Sequence, residues 1–322
     1  MSRWSLSLSH ASPPPAAVEI GSERVSAASI DLRSGRRTIT GHASEALPAG
    51  ALAPSLMGEN VHDRPAVAAA VARVLEQVGR PRRIGLVIPD PVAKVSLVRF
   101  ERVAARATEL DQLIRWQVRK AAPFSIEDAQ VSYVAGARTD EGQEFVVSVA
   151  RRAAIDEYEA VCATAGAHAG IVDLSTFNVA NAALAGSPPP SGDWLLVNLA
   201  PDWASIAIMR GPHLIFFRSR GSEGDVTLVD LAHQTSMYYE DRLHGQGFER
   251  ALICGASTAD PRHVADIDEL QRSLEARLGT PLATVDPRAA ATLTDRIAAP
   301  PMLLDRLAPL VGLLVRDREA AA

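Results

Sequence analysis

The sequence predicts an α/β protein built from two similar domains that face a common cleft. Strand-like and helix-like patterns alternate along most of the chain, which is typical of sheets covered by helices. Residues 16–40 and 194–219 share a layout of three apolar or alternating runs joined by short polar turns. A length of 322 residues is enough for two domains with separate cores. Two copies of one unit, each followed by helices, indicate a duplicated domain.

The two meander-like stretches can be aligned on polar residues. When Glu19 is set opposite Asn198, further positions of the two stretches coincide. The coinciding pairs are Gly21 with Ala200, Ser26 with Ser205, and Ile30 with Met209. This alignment predicts that the second unit is a duplicate of the first.

Composition and charge exclude several functional classes. Apolar residues make up 47% of the chain and charged residues 22%, as in ordinary globular proteins, and the net charge is −5. No Lys/Arg block stands out, which argues against direct binding of nucleic acid. Cys162 and Cys254 lie apart with no nearby His, so we expect no metal site. Residues 1–16 lack a signal-peptide core, and residues 307–315 are too short to span a bilayer. We therefore expect a cytoplasmic protein attached to membranes only through partners.

The first half reads as strands and helices in alternation. The apolar positions Val67, Val71, Val74 and Leu75 predict a helix over 65–78 that Gly79 ends. Leu110, Leu113, Ile114, Val118 and Ala121 predict a helix over 109–122, ended by Pro123. The other predicted elements are three strands within 17–41, strands 84–89 and 94–100, a strand pair at 130–136 and 144–150, a helix 155–165, a strand 168–174 and a helix to Leu184.

The second half follows a linker-like segment at 185–193. After the second meander, a helix is predicted with Asp225 as its cap and with Tyr238 and Tyr239 on its buried side. Residues 250–257 read as a buried strand that opens into a glycine turn. A helix carries Val264, Ile267, Leu270, Leu274 and Leu278, and Gly279 closes it. A strand near 281–285 and a helix near 303–316 complete the prediction.

The polar face of helix 109–122 carries Arg115, Trp116, Arg119 and Lys120. Two interpretations stay open for it. The face is either solvated, with Trp116 packed over long basic side chains, or a docking surface, because Trp and Arg are enriched where partners bind.

Several segments resemble the PilM family of type IV pilus assembly proteins, within the actin, sugar-kinase and heat-shock ATPase superfamily. They are VEIGSERV, LVIPDPVAKVSLVRF, ELDQLIRWQVRKAAPFSIEDAQVSY, FVVSVARRAAIDEYEAVCATAGAHAGIVDLSTFNVANA, LLVNLAPDWASIAIMRGPHLIFFRS, TSMYYEDRL, ALICGAS and LAPLVGLLVR. The resemblance implies an actin-like two-domain fold with a small inserted α/β subdomain. The implied parts are a disordered tail (1–16), a first domain (17–187) with an insertion at about 88–150, a second domain (190–302) and a C-terminal helix (303–322).

The resemblance also implies a nucleotide cleft, whose candidate ligand is ATP with Mg²⁺. The candidate nucleotide-binding residues are Glu19, Gly21, Ser22, Asn198, Ala200, Gly255 and Ala256. Each of the three family turns is altered: Glu23 and Arg24 follow Ser22, Pro201 follows Ala200, and Ala256 replaces a second glycine. We therefore expect no catalytic residues. Asp173 is expected either to face the cleft or to cap a helix.

The function implied by the resemblance is that of a non-enzymatic cytoplasmic adaptor at the inner membrane. It would bind the N-terminal tail of a PilN-like membrane protein and link it to the pilus assembly motor ATPase. The expected tail groove lies between the first domain and its insertion, with Val95, Leu97, Arg115, Trp116 and Arg119. The alternatives are an active ATPase of the same fold and a platform protein of type II secretion that resembles the GspL cytoplasmic domain.

Overall fold

The computed structural model describes residues 14–33, 35–221, 228–258, 268–269, 271–272, 275–276, 280–294 and 297–316. The first domain opens with an antiparallel meander of β1 (Ala16–Ile20), β2 (Arg24–Arg33) and β3 (Arg36–Ala46). Helix α1 (Arg64–Gln77) and strand β4 (Arg83–Ile88) follow. The Asp63 side chain accepts a hydrogen bond from the N–H of Ala66, which fixes the start of α1.

A small subdomain is inserted after β4. It contains β5 (Ala93–Phe100), α2 (Ala107–Val118), β6 (Ala129–Thr139) and β7 (Gly142–Arg151). The three strands form an antiparallel sheet in the order β5-β7-β6. Ile114 and Val118 of α2 pack against Val98, Phe145 and Val147, so α2 covers one face of this sheet.

The chain then returns to the first domain and enters the second. The remaining elements are α3 (Arg152–Thr164), β8 (His168–Leu174), α4 (Ser175–Gly186), β9 (Asp193–Leu199), β10 (Trp203–Arg210), β11 (His213–Gly221), α5 (Leu228–Leu243), β12 (Arg250–Cys254), β13 (Leu282–Thr284), β14 (Thr292–Leu293) and α6 (Pro301–Leu314). The first-domain sheet has the order β14-β3-β2-β1-β4-β8, and the second-domain sheet has the order β11-β10-β9-β12-β13. Apart from β14, the two sheets repeat one topology.

The duplication extends to the register of individual residues. Glu19 pairs with Ser26 across β1 and β2, and Asn198 pairs with Ser205 across β9 and β10. The register shifts at Ser29/Ile30 in β2 and at Ile208/Met209 in β10. These are equivalent positions in the alignment that the sequence suggested. The two domains are therefore copies of one unit down to the placement of their bulges.

Helix α6 packs on the sheet of the first domain, although it follows the second domain in sequence. A Cβ atom on Gly312 would lie 1.6 Å from the carbonyl oxygen of Asn178 in α4, and one on Gly85 in β4 would lie 2.0 Å from the Leu313 side chain. The close approach of α6 to α4 and β4 therefore requires glycine at both positions. This packing places the first turns of α6 beside the second domain.

Two details of the predicted helices are corrected by the structure. Helix α2 ends at Val118, four residues before the predicted end, and the N–H groups of Ala121 and Ala122 both bond to the Val118 carbonyl in the turn before Pro123. Of the predicted apolar face, Leu113 is 40% exposed. Tyr239 is buried as expected, whereas Tyr238 is 41% exposed. Adjacent residues point about 100° apart on a helix, so both could not enter the core.

Some predictions fall outside the described part of the chain. These are the tail before Pro14, the cap at Asp225, the end of the last helix beyond Arg316, and the helical positions Val264, Ile267, Leu270, Leu274 and Leu278 with the closing Gly279. Within the described residues, no helix combines the length and apolar character that a membrane span requires.

Candidate functional site

The cleft between the domains is built from equivalent turns. Residues 21–23 follow β1 and residues 200–202 follow β9, so the duplicated topology places them on opposite walls. Of the predicted nucleotide residues, the cleft is lined by Glu19, Gly21, Ser22, Asn198, Ala200 and Gly255, whereas Ala256 is not among its lining residues. The cavity volume is about 90 Å³. That is well below the roughly 300–1,000 Å³ of typical ligand pockets.

A hydrogen bond joins the two turns across the cleft. The Ser22 hydroxyl donates to Oδ1 of Asp202 over 2.9 Å. Burial raises the pKa of Asp202, Ser22 lowers it, and the nearby Glu23 raises it. The first turn and the second turn therefore contact each other in the space between the domains.

In both turns, one backbone N–H group already forms a hydrogen bond within its own hairpin. The N–H of Gly21 bonds to the Arg24 carbonyl over 2.9 Å, and the N–H of Ala200 bonds to the Trp203 carbonyl over 2.9 Å. Pro201 has no N–H to donate. The turns thus offer fewer backbone donors to an anion than a glycine-rich turn would.

The floor of the cleft holds a continuous chain of polar side chains. Ser175 donates to Oε1 of Glu19 over 3.1 Å. Asn198 donates to the Ser175 hydroxyl over 3.3 Å and to the Thr176 hydroxyl over 2.9 Å. Thr176 in turn bonds to Asp90 through both its hydroxyl and its N–H. These hydrogen bonds form a chain, called the relay below. It joins both domains to the connection between β4 and β5, because Asn198 lies on β9 and Asp90 lies in that connection.

Glu19 and Asp90, the acids at the two ends of the relay, have raised pKa values, which favour their neutral forms. Burial raises the pKa of Glu19 to about 7, against the lowering effects of Ser175 and Arg24, and Asp90 raises it further. Burial likewise raises the pKa of Asp90 to about 6, while hydrogen bonds from hydroxyl groups lower it. No group of three or more metal-ligating side chains stands together in the described ranges.

The third turn, which begins at Gly255 after β12, packs against the second turn. Gly255 has φ of +86°, and a Cβ atom there would lie 2.0 Å from the Leu199 carbonyl oxygen. Next to it, the buried Asp305 of α6 accepts a hydrogen bond from the N–H of Ser257 over 2.8 Å. Arg306 and Arg24 also line the cleft. The turn is thus held by β9 on one side and by α6 on the other.

Asp173 does not cap helix α4. Its carboxylate forms an ion pair with Arg316, with Nη1 and Oδ2 2.7 Å apart, and accepts the N–H of Leu174. Burial raises the pKa of Asp173, and Arg316 lowers it. The pair ties the segment after α6 to the end of β8.

The residues predicted for a tail groove lie on two sides of the inserted sheet. Val95 and Leu97 alternate with Val98, so they project from the face that α2 does not cover. Arg115 and Trp116 lie on α2 and Arg119 directly follows it, on the other side of the sheet, and Trp116 is 70% exposed. The structure therefore brings Val95 and Leu97 together and separates them from the other three residues.

The face that carries Val95 and Leu97 borders the rest of the protein. Leu97 pairs with Val146, which pairs in turn with Val134, so the three form one apolar row across the sheet. Val95 and Val146 are buried in the main core, against which Phe217 of β11 also packs. At the end of the row, Val134 is 39% exposed. Leu97, at the other end of the row, is partly exposed, so only Val146 in the middle of the row is buried.

Sequence reasoning missed several residues of the cleft. Asp90, Ser175, Thr176, Asp202 and Asp305 were not among the predicted site residues. Asp202 had a signal, since it is an acid in a turn equivalent to that of Ser22. The relay residues had none, because they are far apart in sequence and meet only through the sheet topology.

Comparisons with known proteins agree with this architecture. The family model described as type IV pilus assembly protein PilM matches residues 17–246. A PilM–PilN type IV pilus biogenesis complex is similar in structure, with a TM-score of 0.75, 16% identity, and coverage of 94% of this chain and 96% of that chain. At this identity the likeness shows a shared fold, which confirms the predicted fold class.

Two further structures are more distant. A Bacteroides thetaiotaomicron protein with an actin-like ATPase fold has a TM-score of 0.48, 10% identity, and coverage of 84% of this chain and 90% of that one. The cytoplasmic domain of EpsL, an inner-membrane component of the Vibrio cholerae type II secretion system, has a TM-score of 0.48, 9% identity, and coverage of 74% and 80%. Comparison with curated protein sequences gave no match.

Proposed function

The chain belongs to the PilM family of type IV pilus assembly proteins, and from this premise we propose that it is a non-enzymatic adaptor at the cytoplasmic face of the inner membrane. It binds the N-terminal tail of a PilN-like membrane protein and links that protein to the pilus assembly motor. The tail partner is suggested by the PilM–PilN complex that the chain resembles. The link to the motor is proposed from family membership.

The single observation that carries the non-enzymatic part is the hydrogen bond from Ser22 to Asp202. In this proposal it occupies the space that the phosphates of a nucleotide would need. The residues around it do not fit Mg-ATP, because the cleft has a volume of about 90 Å³ and is lined by four carboxyl groups against two arginines. Negative side chains repel phosphate oxygens at short range. We therefore assign no step of catalysis to this site.

The apolar row of Leu97, Val146 and Val134 supports the proposed tail groove. Its open edge lets an extended peptide lay alternate side chains against the sheet, beside the seam with β11. Arg115 and Trp116 of α2, and Arg119 just after it, belong to the opposite side, so the proposed groove does not include them. Ordering a short flexible tail costs much of the contact energy, so we expect micromolar affinity.

The test is capture of a synthetic PilN-like tail by variants of the row. Leu97→Glu and Val134→Glu each place a charge on the proposed groove and are expected to weaken capture at least tenfold. Val103→Glu is the matched control, because Val103 is 44% exposed and lies after β5, outside the row. Circular dichroism checks the fold of each variant. Wild-type affinity in both row variants would show that the tail binds elsewhere.

A further inference from the structure

The outer face of α2 carries exposed side chains that neither the cleft nor the proposed tail groove uses. Leu113 is 40% exposed and Trp116 is 70% exposed, and Glu109 and Lys120 are exposed on either side of them. Spacings of four, three and four residues place these four side chains in one line along the helix. Lys120 belongs to the line although it follows the helix, because Arg119 keeps helical angles, with φ of −52° and ψ of −41°. We call this line the α2 stripe.

The centre of the α2 stripe is apolar and its ends are charged. Trp116 leaves most of a large ring in water, and Leu113 lies beside it one turn earlier. Tryptophan residues often contribute most of the binding energy at the centre of an interface, and polar residues surround them at the rim. The stripe therefore has the composition of a small docking surface.

The α2 stripe is complementary to itself when it is turned end for end. Glu109 and Lys120 lie at equal distances from its middle, and so do Leu113 and Trp116. If α2 of a second copy lay antiparallel on the stripe, Glu109 of each copy would face Lys120 of the other. In the centre, Leu113 of each copy would face Trp116 of the other. A patch that meets itself in this way forms a two-fold interface, the commonest kind in homo-oligomers.

Two basic neighbours of the α2 stripe already have acidic partners. Arg115 forms an ion pair with Asp111, with 2.8 Å between Nε and Oδ2. Nη1 of Arg106 lies 3.2 Å from Oε1 of Glu109, and these side chains are 80% and 50% exposed. Such an exposed pair is weak, so Glu109 stays available to Lys120 of a second copy.

We propose that the α2 stripe docks antiparallel on the α2 stripe of a second copy of this chain. Helix α2 has only 12 residues, so two such helices bury less than the roughly 1,200 Å² of a stable interface, and we expect a dissociation constant on the order of 100 µM. An anionic bilayer fits the stripe less well, because its negative surface would meet Glu109 and Asp111. The dimer leaves the tail groove free, because α2 covers the opposite face of the inserted sheet, and it does not depend on the partner proposed above.

Sedimentation of the full chain from about 10 µM to about 1 mM tests the dimer. Trp116→Ala should weaken association at least tenfold, because it removes the centre of the interface. Met237→Ala is the matched control, because Met237 is 47% exposed on α5, and it should change association less than twofold. Circular dichroism checks the fold of both variants. A wild type that stays monomeric throughout, or equal effects of the two substitutions, would overturn the proposal.

The variants Glu109→Lys and Lys120→Glu test the antiparallel arrangement. Each variant alone places like charges opposite each other twice, so its self-association should weaken about tenfold. A mixture of the two should associate with nearly wild-type affinity, because both ends of the mixed pair carry opposite charges. Glu240→Lys, on the exposed face of α5, is the control and should not complement Lys120→Glu in this way. Failure of the two stripe variants to associate with each other would rule out this pairing.

Flotation with vesicles of phosphatidylglycerol in phosphatidylcholine separates a second copy from a membrane surface. We expect wild type and Trp116→Ala to float to the same extent, because the stripe is assigned to another copy of the chain. If wild type is monomeric and its flotation is abolished by Trp116→Ala, the stripe docks on a bilayer and the proposal is wrong.

Discussion

Ser22 and Asp202 are 180 positions apart in sequence, yet their side chains share a hydrogen bond of 2.9 Å across the cleft between the domains. The two residues sit on equivalent turns of a duplicated unit. One copy contributes a hydroxyl donor and the other a carboxyl acceptor. The same duplication that could form a two-sided ligand site therefore forms a direct contact between the two turns.

The first prediction concerns this contact. Ser22→Ala and Asp202→Ser should each lower the free energy of unfolding by about 1 kcal/mol, because a partly buried hydrogen bond to a carboxyl group is lost. The double variant should lose less than the sum of the two, with a coupling energy of about 0.5–1.5 kcal/mol. Urea unfolding measures all four proteins. Full additivity would mean that the two side chains do not interact in solution.

The second prediction concerns pH. The pKa of Glu19 is about 7 in the folded protein, against an ordinary value of 4.5, so the folded state binds more protons than the unfolded chain between these values. The stability that the neutral carboxyl provides is fully present below about pH 4.5 and is lost as the pH rises through 7. Asp90, Asp173 and Arg24 are the charged groups nearest to this relay, and the raised pKa of Asp90 acts in the same direction.

Glu19→Gln tests this directly, because glutamine does not titrate but can still accept the hydrogen bond from Ser175. The variant should be more stable than wild type at pH 8 by on the order of 1–3 kcal/mol and should show a flatter stability profile between pH 5 and 8. Glu76→Gln, on the exposed face of α1, serves as the control. A wild-type profile that rises with pH over this range would contradict the assigned shift.

The third prediction separates steric crowding from backbone strain at the third turn. Gly255 and Gly247 both have positive φ, at +86° and +109°, but only Gly255 has a neighbour that a Cβ would strike. Gly247→Ala should cost about 1–2 kcal/mol from the backbone alone. Gly255→Ala should cost about 1–3 kcal/mol more, because the Leu199 carbonyl must move. Thermal unfolding compares the two, and equal losses would mean that the turn can relax away from β9.

The fourth prediction concerns the outer face of α2. Trp116→Ala and Arg119→Glu should change capture of a PilN-like tail by less than twofold, because both residues lie across the sheet from Leu97. Fluorescence anisotropy with a labelled tail gives the affinities. A loss of capture in Trp116→Ala as large as in Leu97→Glu would place the tail on the helix.

The sequence could predict the features that depend on local pattern. The sequence predicts that the two meanders match, with Glu19 equivalent to Asn198 and Ser26 to Ser205. The structure confirms the match, because Glu19 pairs with Ser26 and Asn198 pairs with Ser205. The alternating pattern could not predict which side of the inserted sheet α2 covers. Alternation shows that Val95 and Val98 face opposite sides, but not which side meets a helix.

The structure of the cleft, too, could be predicted from the sequence only in part. The altered turns at Glu23, Ala200 and Pro201 are visible in the sequence. The bonds from Asn198 to Ser175 and Thr176 are not, because they depend on how β9 and α4 meet. A chain of polar contacts between domains has no periodicity that a sequence pattern could reveal.

We propose that the cleft is closed by its own turns and neither binds ATP tightly nor hydrolyses it. Calorimetric titration of the protein with Mg-ATP, paired with an assay of phosphate release, tests it most directly. We expect no ATP hydrolysis above background and no binding tighter than the high micromolar range, a binding free energy weaker than about −6 kcal/mol. Low-micromolar binding of Mg-ATP, or steady phosphate release that Glu19→Ala abolishes, would contradict the claim.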